Sequence, residues 1–310
     1  MSFTRADIPN QSDKLVLITG ATGGLGYETA LALAASGAET ILTGRNGAKG
    51  ADALARIRAA HPAARISYET LDLGSLASVA EFAAAFSARH DHLDILVNNA
   101  GVMMPPRRET TADGFELQFG TNHLAHFALT AQLLPLLRAA KAARVVTVSS
   151  IAHRGASIQF EDLQWTSGYN PNRSYGQSKM ANLLFALELQ RRSDAAGWGI
   201  ASIAAHPGIS STELVANGIG AGLIGTMASS IIRVFGHPPA PGALPQIFAA
   251  TSPAAEPGHY YGPTGIGEIA GPPGSAKITG EARDRDIATR LWTISERLAG
   301  VHYPDLAQAA

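Results

Sequence analysis

Short apolar runs alternate with amphipathic stretches of helical length from residue 15 onward. Residues 15–18 read as a buried strand, and 24–35 as a helix stopped by Ser36-Gly37. A second strand is expected at 40–42 and a second helix at 48–60, ended before Pro62. A third strand spans 65–71, and a helix with Ser75 as its cap spans 75–89. The fourth strand lies at 93–97. Residues 121–140 are helical, with a kink expected at Pro135. The fifth strand is at 144–148, a long helix covers 174–196, and the sixth strand is at 200–204. A final amphipathic helix spans 284–298. Strict strand–helix alternation, with crossovers long enough for a helix, predicts an α/β fold: a doubly wound parallel sheet covered on both faces.

Composition narrows this picture. The chain has 310 residues, of which 46% are hydrophobic and 16% charged, ordinary values for a protein with a large core. No repeat or linker divides it, so 1–310 is read as a single domain. Composition shifts after Glu213. Residues 213–245 are rich in glycine, proline and apolar side chains and read as a substrate lid, with 246–310 as a C-terminal extension. The formal net charge is -1 and the basic residues form no dense cluster, which argues against a nucleic-acid partner. Cysteine is absent, excluding disulfides and thiol catalysis. The polar N-terminus carries Asp7 and Asp13 and does not read as a secretion signal. The longest apolar stretch, 219–232, is interrupted by glycines and serines and is too short to span a bilayer. A cytoplasmic protein is the expectation.

Thr19-Gly20-Ala21-Thr22-Gly23-Gly24-Leu25-Gly26 directly follows the first strand and opens the first helix. In that context glycines allow a tight turn and close approach of backbone to a pyrophosphate at the positive helix N-terminus. The spacing admits two readings, Thr-Gly-x-x-x-Gly-x-Gly through Gly24 or Thr-Gly-x-x-Gly-x-x-Gly through Gly23. An acid after the second strand would select the ribose 2′-hydroxyl of NAD. Here the run is Leu42-Thr43-Gly44-Arg45-Asn46. A guanidinium suits a 2′-phosphate, so Arg45 points to NADP over NAD. Asp72-Leu73, closing the third strand, are placed to flank the adenine; helix capping is the other reading of Asp72.

Tyr175 and Lys179 are four apart on the long helix and so share a face. An ammonium beside a phenol favours the phenolate and is expected to lower its pKa, giving a proton donor and acceptor usable near neutrality.

These pieces resemble the short-chain dehydrogenase/reductase family. The resemblance is carried by the glycine loop at 19–26, Asn98-Asn99-Ala100-Gly101, Asn122, Ser149-Ser150, Tyr175-x-x-x-Lys179 and Pro207-Gly208 followed by Thr212. Leu42–Asn46, Tyr175-Gly-Gln-Ser-Lys and His206-Pro207-Gly208 look most like the branch of retinol dehydrogenases, WW-domain oxidoreductase and protochlorophyllide reductase. The resemblance implies a Rossmann-like fold and an NADP(H)-dependent oxidoreductase acting on an apolar ketone, aldehyde or alcohol. Tyr175 would exchange the proton, Lys179 hold the nicotinamide ribose and lower the tyrosine pKa, Ser150 bond the substrate oxygen, and Asn122 hold a water linking Lys179 to solvent. Gly20, Thr22, Gly24, Leu25, Gly26, Arg45, Asp72, Leu73, Asn98, Ala100, Gly101, Pro207, Gly208 and Thr212 would line the cofactor. Side chains alternate along a strand, so Ser149 and Ser150 cannot both face the substrate; the family pattern selects Ser150.

Met103, Met104, His153 and Tyr169 follow strands at the same end of the sheet as the lid and are candidates for the substrate side. The helices carrying Asn122 and Tyr175 often form dimer faces in the family, leaving a homo-oligomer open. The ten histidines, His123 and His126 among them, form no metal pattern, and no metal is assigned. Two other functions share parts of the pattern. Nucleotide-sugar epimerases and dehydratases also use Tyr-x-x-x-Lys and fit the Gly23 spacing, but have a large C-terminal substrate domain. A non-catalytic NADP-sensing binder on the same scaffold commonly lacks the tyrosine or lysine.

Overall fold

The strands Leu15–Ile18 (β1) and Ile95–Asn98 (β4) are buried at every position, as expected of central strands covered on both sides. In the computed structural model, which describes residues 3–209 and 238–304, they sit side by side in an eight-stranded sheet of order β3-β2-β1-β4-β5-β6-β7-β8. The others are Glu39–Gly44 (β2), Ile66–Thr70 (β3), Arg144–Val148 (β5), Ala201–Ala205 (β6), Tyr260–Pro263 (β7) and Pro273–Ser275 (β8). All neighbours are parallel except β7 and β8. Chain direction across the sheet reverses between β1 and β4, opening a crevice at their carboxyl ends.

Alternation along β1 shows the two layers. Leu15 and Leu17 join one core with Phe82, Phe86, Leu129 and Leu133, from Leu76–Ser87 (α3) and Ala125–Ala139 (α5). Val16 and Ile18 join the opposite core with Leu33, Ile57 and Ala249. These come from Gly24–Ala35 (α1), Gly47–Ala60 (α2) and Leu244–Thr251 (α7). The long helix Pro171–Ala196 (α6) lies on the α3–α5 side, packed against β5 and β6.

Ser75 caps α3 as expected, accepting from the Ser78 amide at 3.3 Å. α6 begins three residues earlier than its periodicity indicated, because Asn170 accepts from the Asn172 and Arg173 amides and Pro171 occupies the first turn. The expected helix 121–140 is composite: one turn at Leu117–Phe119 (α4), a π-turn at Gly120–Leu124, then α5 running through Pro135. β7 and β8 were not anticipated.

The last described helix, Arg285–Ala299 (α8), packs on α6 and α5. Trp292 lies 5.0 Å from the Phe127 ring and 5.8 Å from Phe185, and Tyr303 donates to the Phe127 carbonyl at 2.9 Å. The C-terminal segment thus covers part of the helix faces for which a dimer contact was left open. Among the described residues, no helix is long and apolar enough to cross a membrane.

Candidate active site

At the end of β1 the backbone itself builds one wall. Gly20 (φ 64°) and Gly24 (φ 54°) are in the left-handed region, which side chains with a Cβ disfavour. A Cβ on Gly26 would lie 2.4 Å from the Gly20 oxygen and 2.5 Å from Asn99 Nδ2. Gly23 has φ -166°, extended backbone open to any residue. The glycine requirements therefore fall at 20, 24 and 26, the spacing read through Gly24. Gly23 precedes α1 without a side-chain cap, so the first amides of that helix are donors suited to an anion. This donor set fits a pyrophosphate.

Arg45 follows β2 with 67% of its side chain exposed, its Nε 4.0 Å from Asp72 Oδ1. Asp72 Oδ1 accepts from the Gly74 amide at 2.8 Å, closing the turn before α3 while Ser75 caps the helix. Arg45, Asp72 and the mostly buried Leu73 line the same cleft as the glycine loop. An exposed guanidinium with no acid on its own loop fits a 2′-phosphate.

The other end of this cleft, whose volume is 790 Å³, holds Ser150, Tyr175 and Lys179. Ser150 caps the short turn Ile151–His153 through the Ala152 amide (3.1 Å), and its hydroxyl lies near enough to the Tyr175 phenol to favour the phenolate. Ser149 turns away: its hydroxyl donates to the Lys179 carbonyl at 2.7 Å. Lys179 Nζ donates to the Val148 carbonyl at 3.1 Å and lies 5.7 Å from the centre of the Tyr175 ring. The expected lowering of the phenol is reversed. Burial pushes Tyr175 up to about 12, with the Ser150 hydrogen bond pulling the other way. Burial also lowers Lys179 to about 8. Helix spacing places the two groups together, but desolvation of the charged forms outweighs an ammonium at this distance.

One assignment changes. Asn98 does not reach the cleft; it is buried, its Nδ2 donating to Thr130 Oγ1 at 3.0 Å, because strand alternation sends it into α5. Both amide hydrogens of Asn122 are already bonded, so a water linking Lys179 to solvent would have to donate to one of its oxygens. Its Oδ1 accepts from the Val102 amide (2.7 Å), and its Nδ2 donates to the Val102 carbonyl and to Ser178 Oγ, each at 3.0 Å. It pins the loop after β4 rather than lining the cleft. Gly20, Thr22, Gly24, Leu25, Gly26, Ala100, Gly101, Pro207 and Gly208 all line the cleft as expected. Met103 and Met104 line it too, whereas His153 and Tyr169 bond the Ser150 and Pro105 carbonyls behind it. Thr212 and lid residues 213–237 lie outside the described residues. Among the described residues, no group of three or more His, Cys, Asp or Glu side chains is arranged for a metal.

Sequence reading missed the connecting residue His126. Its Nδ1 pairs with the Asn122 carbonyl and its Nε2 with Thr19 Oγ1, each at 2.9 Å. Thr19 Oγ1 in turn accepts from the Asn99 and Ala100 amides at 2.9 and 3.0 Å. The available signal was a polar stripe of Asn122, His126 and Thr130, four apart on an otherwise apolar helix face.

Residues 14–219 match the family model described as short chain dehydrogenase. The chain is 40% identical to retinol dehydrogenase 13 from Homo sapiens, over 98% of this chain and 89% of that protein. It is also 40% identical to polyprenol dehydrogenase from Mus musculus, over 94% of this chain and 86% of that one. The crystal structure of an uncharacterized protein from Mycobacterium paratuberculosis is similar with a TM-score of 0.80 at 38% identity, covering 98% of this chain and all of that one.

Proposed function

The chain belongs to the short-chain dehydrogenase family, an oxidoreductase family acting on CH–OH groups with NAD(P), and on that premise we propose an NADP(H)-dependent enzyme that interconverts apolar carbonyl compounds and alcohols. One observation carries the reading: Ser150, Tyr175 and Lys179 converge at one end of a cleft whose other end is the glycine loop and Arg45.

When bound, the nicotinamide supplies or accepts the hydride. The remaining work belongs to this chain. The Tyr175 phenol, kept protonated at neutral pH by burial, gives its proton to the carbonyl oxygen during reduction. Ser150 holds that oxygen as negative charge develops on it. Lys179, anchored on the Val148 carbonyl, would hold the ribose hydroxyls and pass a proton taken up from solvent back to the tyrosine after turnover. Arg45 takes the 2′-phosphate in the absence of an acid after β2. A protonated phenol favours carbonyl reduction over alcohol oxidation, which needs the phenolate.

Met103, Met104, Leu117 and Ile151 give the reaction end an apolar wall, and the names of the relatives, retinol and polyprenol dehydrogenases, are those of enzymes for apolar alcohols. An apolar aldehyde or ketone is therefore the expected substrate class. The test is a panel of apolar and polar carbonyl compounds with NADPH consumption followed by absorbance. Turnover confined to polar sugars or acids, or none with any compound, rejects this reading.

A further inference from the structure

Behind the cleft, two of its turns meet at a carboxylate that the chemistry above does not use. Glu268 lies between β7 and β8, in the segment whose sequence pattern carried no chemistry. Its backbone is left-handed, φ 59°, a conformation that residues with a Cβ adopt only where the surroundings impose it. Those surroundings are specific. Oε2 accepts from the Arg154 guanidinium and lies 3.0 Å from His206 Nε2, while Oε1 accepts from the Lys277 amide at 3.0 Å. A second Arg154 nitrogen donates to the Gly267 carbonyl at 3.2 Å.

The two partners of Oε2 belong to different turns. Arg154 ends the turn that Ser150 caps. His206 follows β6 and leads into Pro207 and Gly208, which line the cleft. The His206 ring is fully buried, and its Nδ1 accepts from the Gly208 amide at 3.1 Å. That bond assigns the ring proton to Nε2, facing Glu268. Burial holds His206 well below its ordinary pKa, so this neutral form persists at neutral pH. The loop carrying Glu268 also touches the turn directly. The Ile269 carbonyl accepts from the Ile209 amide at 3.0 Å, and a Cβ on the left-handed Gly208 would come 2.1 Å from it.

We propose that Glu268 is a positioning residue: its carboxylate ties the Ser150 turn to the Pro207–Gly208 turn and so fixes the width of the reaction end of the cleft. This rests on the dinucleotide reading above, since the width matters for a nicotinamide held between the two turns.

Glu268→Ala removes both attachments; Glu268→Gln keeps an acceptor for the His206 N–H and loses only the charge facing Arg154. Two quantities are read on the full chain: the NADPH dissociation constant by fluorescence titration, and hydrogen exchange of the Gly208 amide without nucleotide. The alanine variant is expected to bind NADPH about tenfold more weakly and to exchange Gly208 about tenfold faster. The glutamine variant should recover most of both. If the alanine variant melts cooperatively yet keeps both quantities within about twofold of the parent, the proposal is overturned, whatever the change in melting temperature. Should it fail to fold, His206→Asn, which keeps an acceptor for Gly208 but no reach to Glu268, decides instead: weakened NADPH binding supports the tie, and unchanged binding overturns it. A parent that binds neither NADPH nor NADH sinks the dinucleotide reading, while Gly208 exchange still reports separately whether the carboxylate holds the turn.

Discussion

Under β1 and β2 the cleft is walled by backbone and by one exposed guanidinium; under β5 and β6 it is walled by side chains that the fold has taken out of water. Arg45 is 67% exposed, whereas Tyr175 and Lys179 are 7% and 3% exposed. Exposed charge is screened and inexpensive to change, so it suits discrimination between similar ligands. Buried ionisable groups are costly, and burial moves their protons: the phenol goes up and the ammonium comes down. On the proposed function, the same fold separates recognition from reaction along one cleft. The two ends should fail differently.

At the reaction end, deleting one oxygen should suffice. Tyr175→Phe is expected to lower kcat by about a thousandfold or more, with NADPH affinity within about twofold of the parent, since the variant keeps the ring that packs beside Lys179. Steady-state kinetics with a fluorescence titration check both. A variant retaining a tenth of the rate would show that another group delivers the proton.

Acid should act behind the cleft, where His126 joins Asn122 to Thr19 and His123 meets Ser295. The folded protein keeps His123 neutral down to about 3 and His126 down to about 4, while in the unfolded chain each takes a proton near 6.5. Between those values the unfolded state binds more protons, so stability falls as pH falls from about 6.5 toward 4. The loss is about 2 kcal/mol for each histidine by about pH 5. Urea midpoints at a series of pH values measure it. A midpoint flat across that window would mean that these histidines are not buried as described.

At the glycine-loop end the damaging change is an addition. Gly26→Ala sets a methyl against the Gly20 oxygen and Asn99 Nδ2. Neither can move without disturbing Asn99, which donates to the Thr19 and Gly20 carbonyls. The expected cost is about 1–3 kcal/mol of stability, together with weakened nucleotide binding. Thermal melts with and without NADPH separate the two effects. A variant as stable and as tightly binding as the parent would show that the loop opens freely.

What the sequence made legible follows the same division. That the glycine loop, Arg45, Ser150 and the Tyr175–Lys179 pair meet at one cleft was readable because each position depends on local geometry: a strand end, a turn or a helix face. The helix at 24–35 and the strand at 144–148 emerge with the bounds expected of them. Properties set by distant packing were not readable. The pKa of Tyr175 depends on burial, and the face taken by Asn98 on how β4 meets α5. The strands Tyr260–Pro263 and Pro273–Ser275 are too short and too rich in glycine and proline to announce themselves; β8 forms at the sheet edge, where Pro273 is tolerated. Glu268 lay in the same silent region.

The exposed end should show the effect most easily tuned. Arg45→Asp places an acid where NAD-selective folds keep one. NADPH affinity should fall by about ten- to a hundredfold at low salt, the value of one or two charge-assisted hydrogen bonds plus the new repulsion. NADH affinity should hold or rise. Because Arg45 is largely in water, the difference should shrink as ionic strength rises, whereas the Tyr175 effect should not. Asp72, 4.0 Å from the Arg45 guanidinium, already offers it a competing anion, so the parent's preference should itself weaken with salt. Titrations of both nucleotides at two ionic strengths decide the matter. If the preference is unchanged by the substitution, Arg45 does not meet the 2′-phosphate, and selectivity must come from groups deeper in the cleft.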